Sequence, residues 1–199
     1  MQQRKKLEHS IEIPPFDKEI LNPLEGEIVC AVRTMPLHEF KLEEYCRKRG
    51  LSTYLPLRRA LKFHNVTAKG RSYSYSNEVL RPLFTSYLFL KAKPTILREL
   101  YESRMLQRYL PPQNMESFLA EIRVVRKCEL VGFQQELEVH SDIVEGGRFI
   151  VNSGIWEGVE GRLTRKDGIF KWTVEFDFCQ QFITTIIDPT KFDMTPLVD

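Results

Sequence analysis

The chain has 199 residues, 42% apolar and 28% charged, with a formal net charge of +2, ordinary for a globular protein with room for one large domain or two small ones. No apolar run approaches the ~18–20 residues of a membrane span, and the polar stretch Met1 to Glu12 does not read as a signal peptide. Cys30, Cys46, Cys128 and Cys179 form no C-x-x-C pair, and His9, His38, His64 and His140 are equally scattered, so reduced cytoplasmic thiols are expected, with no metal, cofactor or disulfide framework.

Residues 1–26 contain Pro14, Pro15 and Pro23 and no clear period, and read as a flexible or loosely docked extension. Ile28 to Val32 is an apolar run suited to a buried strand. Pro36 marks a helix start, followed by Leu37, Phe40, Leu42 and Tyr45, with Gly50 placed to end the helix. Glu39, Glu43 and Glu44 are read as surface positions of this helix. Ser52 to Leu55 is a strand stopped by Pro56. Residues 57–80 form a long hairpin with Lys69, Gly70 and Arg71 at its tip. Ser86 to Leu90 is a strongly apolar strand, Pro94 opens a second helix through Ile96, Leu97 and Leu100, and Leu106 to Leu110 is a strand closed by Pro111 and Pro112. The order β, α, β, hairpin, β, α, β over 27–112 predicts an α+β sandwich.

Residues 114–127 carry Phe118, Ile122 and Val125 at helical spacing, and about 128–142 is polar and linker-like. Then Phe149–Val151, Gly161–Thr164, Trp172–Phe176 and Phe182–Ile187 read as strands, with Asp167-Gly168 as a hairpin turn. Gly154, Gly158 and Gly161 surround Trp156 in a shaped turn between two of them. The expected division is an extension at 1–26, an α/β domain at 27–112, a helix and linker at 113–142, and a small SH3-like barrel at 143–195.

The charge is uneven. Residues 28–112 hold 16 Lys and Arg against 6 Asp and Glu, whereas 113–199 hold 9 against 15. A basic module beside an acidic one suggests different partners, with nucleic acid or an acidic protein surface for the first. Arg58, Arg59, Lys62, Lys69 and Arg71 alternate with Phe63, Tyr73 and Tyr75 along the hairpin, a mixture that suits single-stranded DNA through phosphate charge and base stacking or else describes a solvated surface. Nothing desolvates a carboxylate pair for acid–base work, and Cys46 and His38 are eight residues apart on one helix, so no enzyme is expected.

Two blocks resemble one family. Arg81-Pro82-Leu83-Phe84-Thr85-Ser86-Tyr87-Leu88-Phe89-Leu90 looks like the PLFPGYLFV strand of the NusG transcription elongation factors, and the glycine turn at 147–163 is similar to their KOW motif. Thr34-x-Pro36-x-x-Glu39 and Tyr54-Leu55-Pro56 fall at matching places. The chain departs from the pattern with Thr85-Ser86 for Pro-Gly, Ile155 for the proline after Gly154, and its N-terminal extension. These departures favour a specialised paralogue similar to RfaH or the UpxY group.

What the resemblance implies is a monomeric factor that regulates transcription without chemistry. Its N-terminal domain would bind the clamp helices of the largest RNA polymerase subunit through Phe84, Tyr87 and Phe89, although any of these residues can instead pack a core. Arg33, Thr34 and His38 would face the displaced non-template DNA strand. The KOW barrel would recruit Rho or a small-subunit ribosomal protein, with Phe178 and Trp156 as contacts or as barrel packing, and its β-branched and aromatic strands favour a stable barrel. The alternative is a ribosome- or RNA-associated KOW protein, which the acidic 113–199 segment disfavours.

Overall fold

A computed structural model describes residues 11–68, 71–102, 104–142 and 145–198. Its elements are mixed α and β, with antiparallel sheets and three α-helices. The first sheet has the order β2-β5-β1-β6, built from β1 (Ile28–Thr34), β2 (Ser52–Tyr54), β5 (Tyr87–Ala92) and β6 (Leu106–Leu110). β1 and β5 read as continuous apolar runs because both faces of the sheet are covered. On one face Cys30, Val32, Leu88 and Leu90 pack under Leu42 and Cys46 of α1 (Glu39–Lys48) and Leu97 and Leu100 of α2 (Pro94–Glu102). On the other, Val29, Ala31, Tyr54 and Phe89 meet Phe118, Ile122, Val125 and Cys128 of α3 (Met115–Gly132).

Between β2 and β5 the chain leaves the sheet as the predicted hairpin, β3 (Leu57–Ala68) with β4 (Arg71–Pro82), twelve residues on each arm. The C-terminal part is a second antiparallel sheet in the order β12-β8-β9-β10-β11-β7. Its strands are β7 (Glu138–His140), β8 (Gly147–Val151), β9 (Glu160–Lys166), β10 (Ile169–Phe176), β11 (Gln181–Ile186) and β12 (Met194–Pro196). Its β9–β10 turn is the Asp167-Gly168 pair, with φ of 52° and 80° as a two-residue hairpin of this kind requires. Among the described residues the strand order is open, with β12 and β7 at its edges, so the pairing by itself does not define the closed KOW barrel that was expected.

Four other features differ from expectation. The first helix begins at Glu39 rather than Pro36, and Glu39 is buried at 3% exposure rather than on the surface. The third helix continues through residues 128–132, where Cys128, Glu129, Val131 and Gly132 are buried, and the supposed linker then supplies β7, paired with β11. The extension, expected to be flexible or loosely docked, is docked over its residues 11–26: Ile20 is fully buried, Phe16 packs edge-on to Tyr54 at 4.7 Å, and Ser52 donates to Asp17 at 2.5 Å. One hydrophobic core therefore runs from the first sheet through α3 into the C-terminal sheet, where Trp172, Val174, Phe176 and Ile183 belong to it.

Candidate functional site

Tyr87 and Phe89 sit on β5 opposite Arg33 and Ala31 of β1, and directly paired residues share a face, so both point toward α3 and away from α1 and α2. Phe84 precedes the strand, in a turn where Ser86 holds a φ of 67°. Ser86 donates its amide to Glu39 Oε1 at 2.7 Å and accepts the amide of Thr34 at 2.9 Å.

Onto these rings comes Phe178, from the β10–β11 turn of the C-terminal sheet. Its ring centroid lies 5.2 Å from Phe84, 6.1 Å from Tyr87, 5.0 Å from Phe89, 6.2 Å from Phe118 and 6.1 Å from Phe176, all in edge-to-face geometry, which adds attraction beyond the area buried. Asp177, next to Phe178, donates its amide to Glu121 of α3 at 3.0 Å. The residues expected to meet polymerase and one expected to meet a second partner thus meet each other. Phe84 and Phe89 are buried and Tyr87 is half-buried. Beside this cluster runs a groove of about 770 Å³, lined by Leu110, Pro112, Phe118 and Phe178 together with the carboxylates Glu121, Glu175 and Asp177.

The helix under this cluster is fixed by a buried carboxylate. Glu129 accepts the Tyr54 hydroxyl at 2.8 Å and the Leu57 amide at 2.7 Å, and pairs with Arg126. Arg126 also donates to the Pro14 carbonyl at 3.4 Å and lies over the Phe16 ring. The docked N-terminal segment and α3 are in this way tied to the same edge of the first sheet. Burial first, then the neighbouring Glu129 charge, raise the Tyr54 phenol well above its ordinary pKa. Sequence reasoning passed over Glu129, because a glutamate in a polar stretch carries no signal of burial.

The basic residues divide. Lys62 is exposed on the hairpin beside Phe63, which is 73% exposed. Tyr75 is half exposed and stacks on His64 at 4.8 Å. Arg58 and Arg59 are engaged in packing: Arg58 donates to the Leu137 carbonyl at 3.1 Å, and Arg59 donates to the Ile11 carbonyl at 3.1 Å and lies over the Phe133 ring. Arg33 is exposed at the end of β1. Thr34 is fully buried with its hydroxyl on the Met35 carbonyl, so its side chain is withdrawn from any DNA-facing surface. His38 is half-buried at the start of α1. Lys69 lies outside the described residues, and only the backbone of Arg71 is described, paired with Ala68.

Trp156 is 2% exposed, so it packs into the core rather than presenting a surface contact. Burial holds the Cys30 and Cys179 thiols up at about 12 and that of Cys46 at about 11, which keeps them protonated and poorly nucleophilic at neutral pH. No group of three metal-ligating side chains occurs among the described residues.

No protein-family profile and no curated protein matches the chain. Among solved structures it is similar to a chain of the crystal structure of the MjSpt4:Spt5 complex in conformation B. That similarity covers 86% of this chain and 99% of the other at 11% identity, with a TM-score of 0.26. A TM-score of that size does not by itself argue for a shared fold or activity.

Proposed function

We propose that the chain is a transcription elongation and antitermination factor of the NusG type, acting in the cytoplasm as a monomer without cofactor or chemistry of its own. The observation that carries this reading is the NusG-like block at 81–90. It forms a turn and a central strand whose Phe84, Tyr87 and Phe89 make one aromatic surface, the part of the fold the family would offer to the polymerase clamp helices. Aromatic anchors seated in a pocket carry most of the energy of such interfaces, and Phe178 occupies that pocket here. For polymerase to dock, the β10–β11 turn withdraws. The C-terminal sheet, as a KOW-like module, is then free to engage Rho or a small-subunit ribosomal protein. The outer half of the hairpin, with Lys62, Phe63 and Tyr75, takes the non-template DNA strand.

The test compares full-length wild type and Phe178→Ala for binding to purified RNA polymerase. A closed state lowers apparent affinity by the fraction of molecules that are open. Phe178→Ala should therefore bind on the order of tenfold more tightly than wild type, and adding Tyr87→Ala should abolish the gain. Failure of both proteins to bind polymerase would discard the proposal.

A further inference from the structure

At the end of the first sheet, Tyr87 of β5, Arg33 of β1 and Arg108 of β6 stand in one cross-strand row, since Arg33 is the direct partner of both others. The row lies on the same face as Phe89, and both arginines are exposed. Among the described residues neither guanidinium has a carboxylate within the 4.0 Å of an ion pair. Like charges directly opposite across an antiparallel pair repel. The sheet thus keeps two unneutralised cations side by side at the rim of its aromatic cluster.

The cover on that cluster indicates what the rim accepts. Leu110 lies two residues beyond Arg108 on the same strand and face, on the order of 7 Å away, and lines the groove beside Phe178. The groove contains Glu121, Glu175 and Asp177 and no Lys or Arg. The chain therefore covers its own aromatic surface with an apolar anchor flanked by carboxylates. When β10 and its turn to β11 leave, Glu175 and Asp177 leave with them, and Arg33 and Arg108, already exposed, stand beside an open aromatic surface.

Resting on the polymerase-binding reading above, we infer that Arg33 and Arg108 select an acidic protein segment, one that presents carboxylates beside the apolar residue replacing Phe178. Guanidinium groups suit this task because their planar donors match a carboxylate in pairs. The inference gives Arg33 a protein carboxylate as its ligand, in place of DNA phosphate, and adds Arg108, which no sequence pattern singled out.

The experiment uses full-length Phe178→Ala, alone and with Arg33→Glu and Arg108→Glu together. Binding to purified RNA polymerase and to a short single-stranded DNA oligonucleotide is measured for each across a salt series. The expected result is a loss of polymerase affinity of about tenfold or more, with a flatter salt dependence and unchanged DNA affinity. Arg33→Lys with Arg108→Lys should retain part of the affinity, because charge remains while the paired geometry is lost. Polymerase binding by Phe178→Ala that ignores the charge reversal overturns the inference alone. A parallel fall in DNA affinity overturns it in favour of a phosphate site. Absence of polymerase binding by Phe178→Ala itself overturns the functional proposal and this inference together.

Discussion

Glu39, the first residue of α1, holds the backbone amide of Ser86 at 2.7 Å across the loop that aims Tyr87 and Phe89. The carboxylate is buried, and Ser86 sits at a φ of 67°, where a residue with a Cβ is strained. Glu39→Ala leaves a part-buried amide without its acceptor and should destabilise the chain by about 2–3 kcal/mol. Glu39→Gln keeps an acceptor and should lose less than half of that. Ser86→Gly relieves the strain and should stabilise by about 0.5–1 kcal/mol. Chemical-denaturation midpoints read all three, and a destabilised Ser86→Gly would contradict the account of the turn.

Glu129 is the joint between α3 and the first sheet. It is 1% exposed and satisfied by Tyr54, Leu57 and Arg126. Removing one partner of a buried charge network costs more than the network contributes, because the others stay desolvated. Glu129→Ala should cost about 3–5 kcal/mol and increase hydrogen exchange along α3 and residues 14–20. Exchange confined to residues next to position 129 would show that the helix is held by apolar packing alone.

Local pattern explains what was legible in the sequence. The apolar runs of β1 and β5, the hairpin and the Asp167-Gly168 turn are written in consecutive residues. The aromatic block at 81–90 was legible as a candidate surface, but its cover was not, because Phe178 meets Phe84 only after two separate sheets have formed. The length of α3 escaped for a related reason. Residues 128–142 look polar in sequence, yet Cys128, Val131 and Leu137 are buried, and the buried Glu129 carboxylate is hydrogen-bonded by Tyr54 of β2 and Leu57 of β3 and paired with Arg126. The docking of residues 11–26 depends on Tyr54 and Arg126, which lie far along the chain.

Glu121 gives the contact between α3 and the β10–β11 turn a pH dependence. Burial raises its carboxyl above the ordinary 4.5. The Asp177 amide pulls it back, and the Asp177 charge pushes it up again. The folded state therefore holds this proton longer than the unfolded state. The stabilisation it brings is complete below 4.5 and is lost as pH rises through the raised value. Glu121→Gln keeps an acceptor for the Asp177 amide and does not ionise. Its stability should match wild type at about pH 4 and exceed it at about pH 7. Denaturation midpoints across that range decide it, and a constant difference would remove Glu121 as the cause.

The exposed half of the hairpin should separate binding from stability. Phe63 is 73% exposed and Lys62 is exposed, so Phe63→Ala and Lys62→Ala should change stability by less than ~0.5 kcal/mol. With the hairpin as the proposed DNA surface, Phe63→Ala should nevertheless weaken single-stranded DNA binding by about 1–3 kcal/mol through loss of a stacked base. Arg58→Ala should behave in the opposite way, destabilising the chain through the loss of its bond to the Leu137 carbonyl, with little effect on DNA. Equal effects of all three on DNA affinity would place the contact surface at the base of the hairpin instead.

The glycine turn of the C-terminal sheet contains two kinds of glycine. Gly158 has a φ of 74° and open space where a Cβ would be, so its requirement is backbone conformation. Gly161 has no such φ, but a Cβ there would stand 2.6 Å from the Thr173 carbonyl and 2.7 Å from the ring of the fully buried Trp172. Neither neighbour has room to retreat, since one is strand backbone and the other a core side chain. Gly161→Ala should therefore destabilise by about 1–3 kcal/mol through overpacking and disturb the near-ultraviolet signal of Trp172. Gly158→Ala should cost about 1–2 kcal/mol from the left-handed backbone alone and leave that signal intact. An unchanged Trp172 signal in Gly161→Ala would mean that β9 shifts away from β10 instead of clashing with it, and the turn would then tolerate larger residues at 161 as well.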